Sequence, residues 1–280
     1  CNYNCPMCAK SLKEESLLDL DFGIIKKIVK EFHNKPLYLP LFKRGESLLR
    51  NDLEQIVDFI KSENGDNYIV LSTNGSFLKE NKYSIVKKID RINISILTTD
   101  PKLYCKLTGT SEGQFNQCVE NIIELSQAMV EGAEVAVMFM AIDENMPFKD
   151  NFYSFWSQHN VSIYEQFSID WGTFRFRKGK REIPERFPCM HLWCYPTVNI
   201  DATVSICCND YYGMYTVGDL KKDSFRDIWH GEEMDRVRSL HLEKRWSEIE
   251  LCRNCLGWSY QENPFVYDKS AKRFRFIFEY

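Results

Sequence analysis

Apolar side chains over residues 17–32 recur at Leu18, Phe22, Ile25, Ile28, Val29 and Phe32, a spacing that lays one stripe along a helix, with Asp19 or Asp21 placed to cap it. An unbroken apolar run from Leu37 to Phe42 follows and reads as a buried strand despite Pro40 inside it. The pattern then repeats. Residues 51–61 carry Leu53, Ile56, Val57 and Ile60 at helical spacing, Tyr68-Ile69-Val70-Leu71 reads as a strand, and a helix is expected over about 77–89. Further strands are expected at Ile92–Leu97, Glu134–Ile142 and Val161–Phe167, separated by helices over about 114–130 and 149–158.

Strands that alternate with helices pair in parallel through right-handed crossovers, so the pattern predicts an α/β fold around a parallel sheet. Where such a parallel sheet curls into a barrel, the chemistry gathers at the C-terminal strand ends. Past about residue 180 the alternation stops: Thr197 to Ile206 reads as a hairpin, and Asp223 to Trp229 forms a helix signal. Three parts are expected: 1–180, 181–260 and a tail, 261–280.

The totals narrow the function. The chain has 280 residues, enough to build its core without staples. Its 36 basic and 40 acidic residues leave a net charge of −4, which offers no footprint for nucleic acid. No run of about 18 apolar residues and no signal sequence is present, so neither a membrane span nor export is expected, and a cytoplasmic protein is the default. Eleven cysteines, clustered and odd in number, read as metal ligands in a reducing compartment rather than as disulfides.

The first cluster is Cys1, Cys5 and Cys8, spaced C-x3-C-x2-C. Three thiols this close can converge on one cubane cluster and supply one ligand fewer than its four irons take, which leaves an iron open to a reactant. A zinc knuckle or three unrelated core cysteines are the bland alternatives. The second set is spread over Cys189, Cys194, Cys207, Cys208, Cys252 and Cys255, where a four-cysteine zinc site is also permitted by the spacing.

The triplet resembles the signature of the radical S-adenosyl-L-methionine (SAM) enzymes. The resemblance implies a partial (β/α)6 barrel, a 4Fe-4S cluster on Cys1, Cys5 and Cys8, SAM on the open iron, and Met7 against adenine. A catalytic loop of this kind needs a strand before it, so residues upstream of Cys1 are expected in the native protein. Other stretches resemble the family's SAM-binding segments. Arg44-Gly45-Glu46-Ser47-Leu48-Leu49 is similar to GGEPLL, with Arg44 and Ser47 in place of Gly and Pro, and implies that Gly45 and Glu46 hold the SAM amino group; on its own it is a turn before a helix. Ser72-Thr73-Asn74-Gly75 is similar to the TNG turn, implying Ser72 and Asn74 near the cofactor, although Asn-Gly alone is an ordinary turn. Ser95 stands where the family places a residue near the SAM ribose or carboxylate, and Asp170-Trp171-Gly172 resembles the segment after the sixth strand.

The second thiol set resembles the SPASM and twitch extensions that carry auxiliary clusters. Twelve residues separate Cys189 from Ala202, which stands where that pattern has Gly, and four separate Ala202 from Cys207. By that spacing Cys189 fits better than Cys194, and Cys207 better than Cys208; with Cys252 and Cys255 they imply one auxiliary 4Fe-4S cluster, two clusters in all. The spacing is close to that of 2-deoxy-scyllo-inosamine dehydrogenase-type twitch enzymes. This implies a small carbohydrate-like or aminocyclitol substrate, oxidised or epimerised with the auxiliary cluster as electron relay, and a reductant such as flavodoxin or ferredoxin. Glu165, Asp170 and Arg175 or Arg177 are candidate substrate contacts or proton acceptors, and Cys194 and Cys208 candidate hydrogen donors. Modification of a ribosomal peptide, by epimerisation or cross-linking, is the second reading. Cys105 and Cys118 read as helix or core residues, and the five histidines form no pair at metal-binding spacing.

Overall fold

The structure, a computed structural model, describes residues 1–6, 8, 19–129, 133–166, 169–170, 175–176, 185–260, 265–268, 270 and 273–276. Met7, Trp171, Gly172 and Arg177 lie outside the described residues. Five strands lie side by side in chain order and all parallel: β1 (Tyr38–Pro40), β2 (Tyr68–Thr73), β3 (Arg91–Leu97), β4 (Glu134–Met140) and β5 (Ser162–Gln166). Helix α1 (Phe22–Glu31) precedes β1, and Asp21 Oδ1 accepts the amide of Ile24 at its start. Helices α2 (Leu53–Glu63) and α3 (Glu80–Val86) fill the next two crossovers.

The crossover from β3 to β4 holds two helices, α4 (Pro101–Thr108) and α5 (Glu112–Ala128), where the sequence pattern suggests one. Helix α4 is set by its ends rather than by its apolar stripe. Asp100 Oδ1 accepts the Leu103 amide at 2.7 Å, Pro101 occupies the first turn, and Gly109 closes the helix at φ 69°. Ser111 and Gln114 form a reciprocal capping box that starts α5. Helix α6 (Lys149–Trp156) leads into β5.

Side-chain alternation assigns the two sheet faces. Along β3, Ile92, Ile94 and Ile96 are fully buried, whereas Arg91, Asn93 and Ser95 project to the other, partly exposed face. Register puts Ser72 opposite Asn93, so Ser72 and Ser95 share that face. On the helix-facing side Phe139 packs edge-on against Phe152 of α6 at 5.2 Å. At the C-terminal end, β3 leaves the sheet through Leu97 at φ 62°, and the buried Asn145 side chain donates to Leu97 O and Met140 O, both at 2.8 Å.

The chain separates into two compact units, one of Cys1–Leu17 and Ile25–Ser168, the other of Leu18–Ile24 and Ile169–Tyr280. The second contains a hairpin of β6 (Ile169–Asp170) and β7 (Arg175–Phe176), helix α7 (His191–Cys194), and a three-stranded antiparallel sheet of β8 (Thr197–Val198), β9 (Thr203–Ser205) and β10 (Thr216–Asp219). Helices α8 (Phe225–Trp229), α9 (Glu232–Leu242) and α10 (Glu250–Arg253) follow, then the hairpin of β11 (Phe265–Asp268) and β12 (Arg273–Phe276). Leu192, Ile206, Met234, Val237, Leu240 and Ile249 pack together in it, which locks α7 and the chain just after β9 against α9. The turn between β8 and β9 passes through Ala202 at φ 72°, a conformation that favours glycine.

Candidate functional site

The first thiol triplet sits on a loop that the rest of its unit grips from three sides. The Cys8 amide donates to Cys5 O at 3.0 Å, closing a turn around the last two thiols. Tyr3, between the first two, is buried, and its hydroxyl meets Cys118 Sγ of α5 at 3.2 Å and Tyr104 Oη of α4 at 3.4 Å. Burial pushes both phenols far above their ordinary range, and burial likewise raises the Cys118 thiol. Gly109 completes the grip: a Cβ there would lie 2.9 Å from Asn4 O, so the loop can lie against the end of α4 only over a bare backbone.

The turn after β2 supplies the third side. Asn74 Nδ2 donates to Asn2 Oδ1 at 2.9 Å and reaches Cys1 Sγ at 3.7 Å, while its Oδ1 accepts from the Ser76 amide and hydroxyl. Gly75 has φ 85°, and a Cβ there would come within 3.2 Å of Ile94. Glu46 ties this turn to the one after β1. It is buried, its Oε1 accepts from the Leu48 amide and the Thr73 hydroxyl, and its Oε2 accepts from the Asn74 amide at 2.8 Å. Burial raises its pKa against the lowering effect of those donors. Neighbouring Gly45 also has positive φ, 86°.

The other expected SAM contacts, Ser72 and Ser95, lie on the partly exposed face of the same sheet. Glu165 does not share it. It is in register with Phe139 on the side of α6, where Oε1 accepts from Tyr153 Oη at 2.8 Å and pairs with Lys149 Nζ at 2.5 Å. Burial raises its pKa, but these two partners outweigh burial and hold the carboxyl below its ordinary value. Asp170 and Arg175 are direct register partners across the β6–β7 hairpin in the other unit.

The second thiol set converges within its own unit. Two of its sulfurs accept the amide two residues ahead: Asn209 N to Cys207 Sγ at 3.3 Å, and Gly257 N to Cys255 Sγ at 3.2 Å. An N–H directed at sulfur favours thiolate, the form that binds metal. The Cys189 amide donates to Nδ1 of the buried His241, whose pKa falls to about 3 through burial and the nearby charge of Arg186. The thiols act on one another. Contact with Cys208, then burial and the charges of Cys208 and Cys189, drive the Cys207 thiol far up; burial, then Cys255 and Cys189, do the same for Cys252; burial raises Cys255.

Cys208 is exposed, and Cys194 lies half-buried on α7. His191 Nδ1 lies 4.0 Å from Cys207 Sγ and 3.9 Å from Cys208 Sγ; among the described residues these three form a group with all ligand atoms within 4.8 Å. Sequence spacing pairs no histidines, and it cannot show one meeting two thiols across 16 residues. The donor sets fit their expected groups. Soft thiolates suit iron–sulfur chemistry: three in one short loop would leave an iron open, and the second set offers enough thiols, two of them accepting amide hydrogen bonds, to close a cluster.

Residues 1–147 match the radical SAM superfamily. The chain belongs to it. Residues 189–256 match the SPASM iron-sulfur cluster-binding domain, so this radical SAM chain takes SAM and a 4Fe-4S cluster, with further iron–sulfur in the second domain. Among curated relatives, the protein of Pyrobaculum aerophilum called "Probable GTP 3',8-cyclase" is 33% identical over 135 residues, 44% of this chain and 40% of the relative. The chain thus spans less than half the length of that relative. In fold it is similar to BtrN in complex with AdoMet and 2-DOIA (TM-score 0.56, 16% identity, 91% of this chain and 88% of the other). It is also similar to Streptococcus suis SuiB bound to precursor peptide SuiA (TM-score 0.62, 12% identity, 92% and 69%). Among the described residues no helix is long and apolar enough to cross a membrane.

Proposed function

We propose that this radical SAM enzyme oxidises an alcohol carbon of a small carbohydrate-like or aminocyclitol substrate, with Cys1, Cys5 and Cys8 holding the SAM cluster and Cys189, Cys207, Cys252 and Cys255 the auxiliary one. When bound, SAM on its cluster supplies a primary carbon radical able to take hydrogen from an unactivated C–H bond. The chain's residues supply position. Tyr3, Asn74 and Gly109 fix the cluster loop, Glu46 locks the two turns that face SAM, and Ser72 and Ser95 line the adjoining strand face.

The observation that supports the oxidative reading is the convergence of the thiols of the second domain, two of them already accepting amide hydrogen bonds. Four protein ligands leave no iron for substrate, which gives that centre the role of electron acceptor. Beyond the hydrogen that bound SAM would take, such an oxidation would require of this chain a base for the hydroxyl proton and a second centre to receive the remaining electron. Asp170 and Arg175, adjacent across their hairpin, are the candidate proton acceptor and substrate contact, and a reduced flavodoxin or ferredoxin is the proposed electron source. The fold shared with BtrN, solved with AdoMet and 2-DOIA, supports the substrate class.

The fold shared with SuiB, solved with its precursor peptide, supports a second reading, peptide modification, in which Cys194 or Cys208 would return hydrogen. Anaerobic, reduced enzyme with SAM should form 5'-deoxyadenosine faster when an aminocyclitol or polyol is added, with a carbonyl product by mass spectrometry. Stimulation by peptides alone would replace the first reading with the second. No SAM cleavage under any condition would remove both.

A further inference from the structure

Arg186 stands immediately behind the last thiol pair. Its Nη2 donates to Cys252 O at 2.6 Å and its Nη1 to Arg253 O at 3.1 Å, while the guanidinium lies over Trp246 at 4.7 Å and near Trp258 at 5.9 Å. Its Nε–H is buried and meets no acceptor among the described residues. A charged donor left this way is costly unless some group accepts from it. The surroundings offer an anionic sulfur centre: the thiols of Cys252, Cys255 and Cys189 all act on this guanidinium.

The neighbouring cations are committed elsewhere. Arg253 Nε donates to Ser247 O, Arg245 is held by Glu243 and Glu248, and Lys244 lies 3.6 Å from Glu185. Among the described residues no carboxylate pairs with Arg186, so its charge stays uncompensated beside the thiols. Guanidinium does not lose its proton in proteins, so the charge is fixed.

We propose that Arg186 sets the reduction potential of the auxiliary cluster, its half-buried charge and unclaimed Nε–H stabilising the reduced, more negative state and so poising that cluster to accept an electron. The inference rests on the reading that Cys189, Cys207, Cys252 and Cys255 hold a cluster. Arg186 is a positioning residue and touches neither substrate nor SAM in this reading. The physical cause is general: net charge and hydrogen bonds to sulfur are what move iron–sulfur potentials.

The test is an EPR-monitored redox titration of the full chain carrying Cys5→Ala, which leaves the auxiliary signal alone. Arg186→Gln should lower the midpoint so that the reduced fraction at a fixed potential falls about tenfold, equal to about 59 mV for one electron. Arg186→Lys, which keeps the charge and loses the fork, should shift it less. A loaded Gln variant that titrates at the parent potential overturns the proposal. Because Arg186 also holds the backbone of the thiol pair, a Gln variant that takes up no iron is decided by a measurement on the unaltered protein. With arginine labelled by 15N in the guanidinium only, pulsed EPR of the reduced auxiliary cluster should show a 15N coupling, and its absence overturns the proposal. If the unaltered protein holds only about four irons per chain, the cluster assignment itself fails, which is a separate outcome.

Discussion

The two cysteine regions of this chain are built by opposite means. The first places three thiols on one short loop and holds that loop from outside, through Tyr3 on Tyr104 and Cys118, Asn4 on Gly109, and Asn2 on Asn74. The second draws its thiols from three separate segments and holds them from within, through a core of Leu192, Ile206, Met234 and Val237, with amides directed at sulfur and a half-buried guanidinium alongside. In the proposed reading the gripped loop is the centre that takes SAM. The second set, held through its own domain core, is in that reading the centre that moves an electron.

The comparison breaks most sharply at the first region. Cys5→Ala is expected to reduce 5'-deoxyadenosine formation by more than about 10³-fold, because chemistry carried by a cofactor leaves with it. Iron should fall from about eight to about four per chain, since the second set is untouched. Retained SAM cleavage would refute the ligand assignment.

Cys252→Ala is expected to do the converse. SAM cleavage should persist within about tenfold of the parent, while substrate oxidation falls by about 10²-fold or more, as when a group needed in only one step is removed. Assay of 5'-deoxyadenosine against carbonyl product separates the two. If both fell equally, the second set would be serving SAM cleavage or the fold rather than the electron.

Much of the first region was legible in the sequence because its signals are local. The thiol spacing, Gly45-Glu46 and Asn74-Gly75 all stand within short stretches, and the two glycines take the positive φ such turns require. What the sequence could not show is that Glu46 accepts from Thr73 and Asn74, a link spanning 28 residues, or that Tyr3 meets a thiol 115 residues away. Cys118 therefore read as an ordinary core residue. The strand alternation was readable for the same reason, whereas α4, eight residues long and set by Asp100 and Pro101, has too few apolar positions to announce itself by period. Arg186, Glu165 and His191 are cases where chemistry depends on contacts alone. Glu165 looks like a strand-end carboxylate in sequence and is claimed by Lys149 and Tyr153 in the fold.

A pH series sharpens the contrast further. In iron-free protein the thiols of Cys207, Cys252 and Cys255 are raised above their ordinary value of 9.0. The folded state thus binds these protons more tightly than the unfolded chain. The stability they contribute is fully present below about pH 9 and is lost as pH rises through their folded values. Urea unfolding of iron-free protein should therefore show stability falling between pH 8.5 and pH 10, by up to about 1.4 kcal/mol per pH unit for each thiol that loses its proton only on unfolding. Loaded protein, whose thiolates are bound to iron, should show little of this loss. Equal slopes in the two forms would mean that the thiols do not govern the alkaline limb.

The smallest expected effect lies in the turn that joins the second region's strands. Ala202 is almost fully buried and holds φ 72°, where the SPASM pattern it resembles has glycine. Its amide donates to Asn199 O and its carbonyl accepts from Leu220, so the surrounding hydrogen bonds keep it in this conformation. A Cβ in the left-handed region costs about 1–2 kcal/mol. Glycine removes that strain but loses a buried methyl group and gains unfolded-state entropy, together worth about 1 kcal/mol in the other direction. Ala202→Gly should therefore change stability by a gain of no more than about 1 kcal/mol, read by urea unfolding, and leave iron content unchanged. A clear loss of stability or of iron would mean that the methyl group packs the hairpin against the domain core, and that alanine at this turn is a supporting part of the second centre.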